Sequence, residues 1–416
     1  MPRLDAQTVE QLRASLFDTG PEIFIRDYVV SGKYTLRSLG VVFGLDPHLY
    51  SEVGRALFLR LLQQLIVRHY YKRRKLPQYN TLDDVAKLLQ NSKKIVVIAG
   101  AGISTSLGIP DFRSKNTGFY DKVREMDSSL GIGEPEDVFD IEIFDQSPEI
   151  FFSLAGDILP DEKKFSPTHA FIKLLQDKGK LLTCYTQNID NLETSAGIKP
   201  EKLIQCHGSF GTATCRKNGA KNPAHSVPGT DIFDDIRQRK IPICKACRSE
   251  MEQAEAAKRR QKRFKLTPRK STPVSDADSD LDDNIPQPGI MKPDITFFGE
   301  QLPKTFFDRF TDIDCKIVDL VLVIGTSLKV APVSDMPNYL PHKVPHVYVN
   351  REAIEHVNFD VQCLGDCDDV VEELCVRAGW SGGLRAHEMV KAKAGRTIIT
   401  EKAGDAPERW RVGRRS

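Results

Sequence analysis

At 416 residues the chain is long enough for one large domain plus a smaller module or extensions. It is 40% hydrophobic and 28% charged, a soluble globular balance, and 59 basic against 57 acidic residues leave a formal net charge of +2. Bulk charge therefore gives no general attraction to nucleic acid, and any such role would rest on local charge runs.

The polar start MPRLDAQTVEQLR lacks the apolar core of a secretory signal. The most apolar stretch, ALFLRLLQQLIV, is broken by Arg60 and two glutamines and is too short to span a bilayer. The expected compartment is the cytosol or nucleus, with no membrane partner. There, nine cysteines point to metal or core roles before disulfides.

Residues 1–90 read as a helical extension packing on a catalytic body, with a short helix in YTLRSLGVVFGLDP and a longer one over 54–67. In the longer helix Ala56, Leu57, Leu59, Leu61, Leu62 and Leu65 lie near one face. From Lys94 the pattern changes. KIVVIA, LLTCYT, LIQC, DLVLVIG and HVYVN are short β-branched runs with amphipathic stretches between them, such as THAFIKLLQDKG ending at Gly179. Near-continuous hydrophobicity fits strands covered on both faces, so the expected fold is α/β, a doubly wound, Rossmann-like parallel sheet. The catalytic domain is expected over 91–380, with a small module over about 208–250, a disordered insertion over about 250–288 and a flexible basic tail over 381–416.

KIVVIAGAGISTSLGIPDFRS carries the strongest local signal. A strand ends in Gly100-Ala101-Gly102, and a helix is expected to begin near Ser104. Glycines let a backbone approach a phosphate, and a helix start favours its charge. The full G-x-G-x-x-G pattern is absent, since Thr105 follows, so a plain strand-to-helix turn is the competing reading. Gly325-Thr326-Ser327 after DLVLVI repeats the arrangement, and Asn350-Arg351-Glu352 follows HVYVN. Ligands of open α/β sheets bind at strand carboxyl ends, where all these residues fall. The next convincing strand comes far too late for the ribose-binding acid of a dinucleotide oxidoreductase. Asp111 and Phe112 open a long polar and aromatic segment that suggests a lid.

TQNIDNL follows LLTCYT, and CHGSF follows LIQC. Strand ends would therefore bring Gln187, Asn188, Asp190 and His207 over the same crevice. An imidazole at such a place suits general-base work at neutral pH.

GAGISTSLGIPDFRS, TQNID, HGSF, KPDITFFGE, GTSLKVAPV and VNRE occur here in the order found in sirtuins, which the chain resembles from about Lys94 to Trp380. These are the NAD-dependent protein deacylases of the silent information regulator family. The segment GPEIFIRDYVVSGKYTLRSLGVVFGLDP looks like the extension of the fungal nuclear silencing type. The resemblance implies a histone lysine deacetylase that consumes NAD, releasing nicotinamide, acetyl-ADP-ribose and free lysine. His207 would be the base acting on a ribose hydroxyl, and Asn188 would order a water. Gly100, Ala101, Gly102, Ser104 and Arg113 would surround the diphosphate. Phe112, beside Asp111, would shield the reactive ribose face, and Gln187 would contact ribose. Ile189 and Asp190 would hold the nicotinamide amide. Gly325, Thr326, Ser327, Asn350, Arg351, Glu352 and Cys367 would lie along the adenosine half. The acetylated peptide would add as a strand between the segment of Phe298 and Gly299 and that of Lys329 and Val330. Mono-ADP-ribosyl transfer and a catalytically weak silencing scaffold are the alternative readings. Expected partners are acetylated protein lysines, histone tails among them, and silencing-complex proteins in the nucleus. Chromatin association would be indirect or weak.

The resemblance also implies zinc on two C-x₂-C pairs. Cys244 and Cys247 form one, but the other reads Cys215-Arg216-Lys217-Asn218, and asparagine is a poor zinc ligand. His225 as fourth ligand and a site with only three protein ligands both remain open. KRRQKRFKLTPRK holds eight basic residues in thirteen, a candidate nuclear localisation segment or weak DNA contact, with a solvated linker as the plain reading.

Overall fold

The computed structural model describes residues 4–71, 73–112, 118–130, 132–159, 164–217, 219–265, 288–380, 382–385, 387–392, 397–404 and 406–414. Backbone contacts divide the chain into two compact units. The first comprises residues 1–76, 335–343 and 354–358, and the second all the rest.

The first unit is helical. Asp5 caps Ala6–Thr19, accepting from the Thr8 N–H, and Thr35 caps Leu36–Val42 in the same way. The helix Leu49–Tyr71 is interrupted at Gly54, whose φ of 76° is not helical. Its buried residues are Phe58, Leu62 and Ile66, one stripe at helical spacing, while Leu57 is exposed. The expected face holds in part: Leu59, Leu62 and Leu65 pack on this core, Leu57 does not, and Phe58 and Ile66 are buried beside them. Leu62 and Ile66 close a core with Leu12, Leu16, Phe24, Leu39 and Val42. No described helix of the chain is long and apolar enough to cross a membrane.

The second unit begins earlier than expected. Its first helix, Leu82–Asn91, starts in a capping box between Thr81 and Asp84. An eight-stranded sheet follows, built from β1 (Ile95–Ala99), β2 (Leu181–Thr186), β3 (Leu203–Gln205), β7 (Leu320–Ile324), β8 (His346–Asn350), β9 (Val361–Leu364), β10 (Ile398–Lys402) and β11 (Arg409–Arg414). Its order is β10-β11-β9-β8-β7-β1-β2-β3, and every pairing except β10 with β11 is parallel. The run β3-β2-β1-β7-β8-β9 is the doubly wound arrangement, with its switch point between β1 and β7. All residues of β1, β2 and β7 are buried, as their unbroken apolar runs require. A second sheet, β4 (Gly208–Lys217), β5 (Ala220–Pro228) and β6 (Ile290–Ile295), is antiparallel in the order β5-β4-β6. It packs with phenylalanines 119, 139, 144, 151, 152, 210, 233 and 297.

Three expectations are corrected. No long helix begins near Ser104. Two short 3₁₀ turns, Ala101–Ile103 and Thr105–Leu107, end at left-handed Gly108. The expected disorder from about residue 250 does not hold over its first part, because a helix runs Lys245–Lys265. Its start holds Cys247, and Glu255 lies 4.0 Å from Arg259 one turn on. The remainder of that insertion, 266–287, lies outside the described residues. The supposed basic tail joins the main sheet. β11 lies parallel to β9, Trp410 donates to the Asn80 carbonyl at 2.7 Å, and Arg414 pairs with Asp369 and Glu372.

Candidate functional site

β1, β2, β7 and β8 all end at one crevice, and the loops leaving them line a cavity of about 670 Å³. Gly102 and Gly325 line it, and Gly100 packs beneath them. A β-carbon at Gly102 would fall 2.7 Å from the Gly325 Cα, and one at Gly100 would fall 2.5 Å from the Thr326 Cβ. Gly325, at φ +67°, could carry no side chain without meeting the Ile103 N–H at 2.7 Å. The glycines therefore let the loops after β1 and β7 interlock across the switch point. That differs from the expectation that they clear space for a phosphate. Gly102 N–H donates to the Gly325 carbonyl at 2.8 Å and fastens the two loops.

His207 follows β3 and is mostly buried. Its Nδ1 lies 3.1 Å from the Gln187 carbonyl oxygen, an acceptor only, so Nδ1 carries the proton and Nε2 presents a lone pair. Nε2 is buried with no hydrogen-bond partner, as is Asn188 Oδ1. Burial depresses the His207 pKa below its ordinary 6.5, and the Gln187 carbonyl opposes this without reversing it. The ring is therefore neutral at physiological pH. Two unsatisfied acceptors, both on residues lining the cavity, call for donors from a ligand.

The Sir2 family profile matches residues 100–332. The "NAD-dependent histone deacetylase sir2" of Schizosaccharomyces pombe is 42% identical over 384 residues, covering 92% of this chain and 76% of that protein. The chain belongs to the Sir2 family. The "NAD-dependent protein deacetylase HST1" of Saccharomyces cerevisiae is 45% identical over 77% of this chain and 59% of its own length. The "NAD-dependent histone deacetylase sirtuin-1" of Drosophila melanogaster is 42% identical over 74% of this chain and 34% of its own length. The chain thus spans less than two thirds of either of these longer relatives.

Within this Sir2 domain most expected residues meet on the cavity wall. Ala101, Gly102, Asp111, Phe112, Gln187, Asn188, Ile189 and His207 line one part. Gly325, Thr326, Ser327, Asn350, Arg351, Glu352 and Cys367 line another, with Phe298, Lys329 and Val330 beside them. Gln187 Nε2 donates to Thr326 Oγ1 at 3.0 Å, joining the loops after β2 and β7. Ser104 and Asp190 are not on the wall. They lie buried, bonded to each other at 2.6 Å, with Asp190 also accepting from the Leu192 N–H. Gly100 is held against Thr326, and Gly299 is likewise absent from the wall. Arg113 lies outside the described residues. Phe298 offers its ring rather than its backbone. Its N–H donates to the Phe139 carbonyl, and its carbonyl accepts from the Ile141 N–H.

Thr105, Tyr120 and Phe139 line the cavity unforeseen, and Ile295 and Thr296 line it from the ITFFGE segment expected to border the peptide. Tyr120 belongs to the lid segment and Phe139 to a short turn beyond it, and their rings stand 5.7 and 5.8 Å from that of Phe112. The aromatic density of GFY was the available signal for Tyr120. Nothing local marked Phe139.

The cysteine module has a definite geometry. One ligand atom each from Cys215, His225, Cys244 and Cys247 falls within 4.8 Å of the other three. Zinc at about 2.3 Å from sulfur and about 2.0 Å from nitrogen gives tetrahedral S···S and S···N edges of roughly 3.8 and 3.5 Å. Here the Cys215 and Cys247 sulfurs are 3.6 Å apart, and His225 Nδ1 is 3.6 Å from Cys244 Sγ and 3.4 Å from Cys247 Sγ. The donor set fits tetrahedral zinc with His225 as fourth ligand. Glu250 Oε1, 3.0 Å from His225 Nε2, would orient the ring from outside. Asn218 itself lies outside the described residues.

Proposed function

We propose that the chain is an NAD-dependent protein lysine deacetylase acting on acetylated histone tails in the nucleus, with His207 as its base. The observation that carries this reading is the neutral His207, whose buried and unpartnered Nε2 belongs to a residue on the wall of a cavity shared with the strand-end loops. Bound NAD would supply a ribose carbon, C1′, to which the acetyl oxygen of the substrate lysine would bond as the C1′–nicotinamide bond breaks. His207 Nε2 would then take a proton from a ribose hydroxyl, while Nδ1 stays tied to the Gln187 carbonyl. Asn188 places a polar head beside it for a water or the amide. Phe112 and Tyr120 exclude water from above, and Asn350, Arg351 and Glu352 take the adenosine half. Phe298, Lys329 and Val330 border the acetyl-lysine entry. Asp190 acts from just behind the wall. Zinc on Cys215, His225, Cys244 and Cys247 holds the smaller sheet together.

The test follows nicotinamide and free lysine from acetylated histone peptide and NAD, for wild type and His207→Ala. Both products form with wild type, and both fall sharply with the variant. Labelled protein without free lysine would favour ADP-ribosyl transfer, and no nicotinamide at all would favour a scaffold.

A further inference from the structure

Beneath the cavity wall lies a cluster that the proposed chemistry does not use. A ring nitrogen of His169 and one carboxylate oxygen each from Asp190 and Glu193 lie within 4.8 Å of one another. All three residues are buried. Neither oxygen of Glu193 meets a donor in full hydrogen-bonding geometry, although the Thr186 hydroxyl and the Glu193 N–H lie near enough to favour its anion weakly, and His169 Nε2 is unpartnered. Asp190 is treated differently by its surroundings. Burial raises the Asp190 pKa too, but the Ser104 hydroxyl, donating to its Oδ2 at 2.6 Å, and the Leu192 N–H, donating to its Oδ1 at 3.1 Å, oppose that rise.

Two carboxyl groups so close cannot both ionise away from water without a cation. His169 supplies none. Its Nδ1 is tied to Ser166, and burial depresses the ring pKa to about 3. The other titratable groups facing Glu193 are the thiols of Cys184, on β2, and Cys206, after β3. Burial, with a smaller contribution from Glu193, keeps both thiols protonated. Among the described residues, no lysine or arginine joins the cluster.

We propose that Glu193 is a positioning residue that keeps its proton at neutral pH, so that the pair carries one negative charge, fixed on Asp190 where two donors meet it. Burial first, and the Asp190 charge second, push the Glu193 pKa up to about 8. The neutral glutamic acid leaves Asp190 as an undistorted anion to receive the amide N–H groups of nicotinamide. This last step rests on the NAD reading of the site, while the retained proton does not.

Two measurements test it. Infrared spectra of the whole protein at neutral pH should show a protonated-carboxyl C=O stretch. The band should shift when glutamate is carbon-13 labelled and vanish in Glu193→Gln. In wild type, KM for NAD should rise on the order of tenfold as pH passes through about 8, with kcat changed much less. Glu193→Gln, a permanent mimic of the neutral acid, should keep the neutral-pH KM and lose that alkaline rise. No glutamate-sensitive band, or an alkaline rise equal in both proteins, would overturn the proposal. So would a second tightly bound metal ion lost on substituting Glu193, since the cation would then replace the proton. A band without any NAD dependence would retire the functional reading of the cavity and leave the proton in place.

Discussion

At the scale of single residues, the decisive group is an imidazole whose two nitrogens are used differently. Because burial depresses the His207 pKa, the base form persists below pH 6.5 and is lost only as pH falls through the lower value. The acid limb of kcat/KM should therefore lie below pH 6.5, and a limb above it would refute the assigned environment. His207→Ala should lower kcat roughly a hundredfold to ten-thousandfold with the fold intact by circular dichroism. His207, Asn188 and Gln187 were legible because each stands just after a β-branched run, and strand ends of a doubly wound sheet converge. Ser104 and Asp190 were legible as partners of the site but not as a pair beneath its wall. Spacing along the chain does not say that a serine hydroxyl 86 positions away caps the carboxylate.

At the scale of elements, the smaller sheet depends on the metal set. His225→Ala should lower zinc content below one ion per chain and reduce thermal stability. His225→Cys should restore both, because a thiolate suits the same corner of the tetrahedron. Full zinc in the alanine variant would remove His225 from the site. The two-pair cysteine pattern was readable, and so was its gap at Asn218. That β5 carries His225 back to the cysteines was one of two open alternatives, undecided because the hairpin β4–β5 shifts register between Thr214 and Cys215. The helix Lys245–Lys265 escaped for a related reason. Composition marks a charge run as unable to bury an apolar face. It does not register a first turn anchored by a buried Cys247.

At the scale of the whole second unit, the sheet has one pairing that composition concealed. Residues 398–414 look like a basic tail, yet Val412 is buried and Arg414 sits between Asp369 and Glu372. Breaking a largely buried ion pair from one side costs about 3 kcal/mol. Arg414→Ala should therefore destabilise by about that amount in urea titration, and an unchanged midpoint would show the strand to be dispensable. The parallel strands were evident as continuous apolar runs. β11 was hidden because, lying between β10 and β9 next to the sheet's edge, it alternates and places Arg409 and Arg411 around Trp410 and Val412.

The centre of that sheet carries a further consequence. β1 pairs directly with β7, and the Lys94 N–H donates to the Asp319 carboxylate across 225 positions of sequence. The innermost strands must wait for the whole intervening stretch, well over half of the unit, to be synthesised before they can meet. Until then β1 offers an open apolar edge on the β7 side, and the metal-bearing hairpin lies within the intervening loop. Loop closure grows costlier with length, though slowly. A zinc ion that condenses part of that loop early would shorten the search. The ion's contribution would then register as much in the rate of refolding as in the stability finally reached.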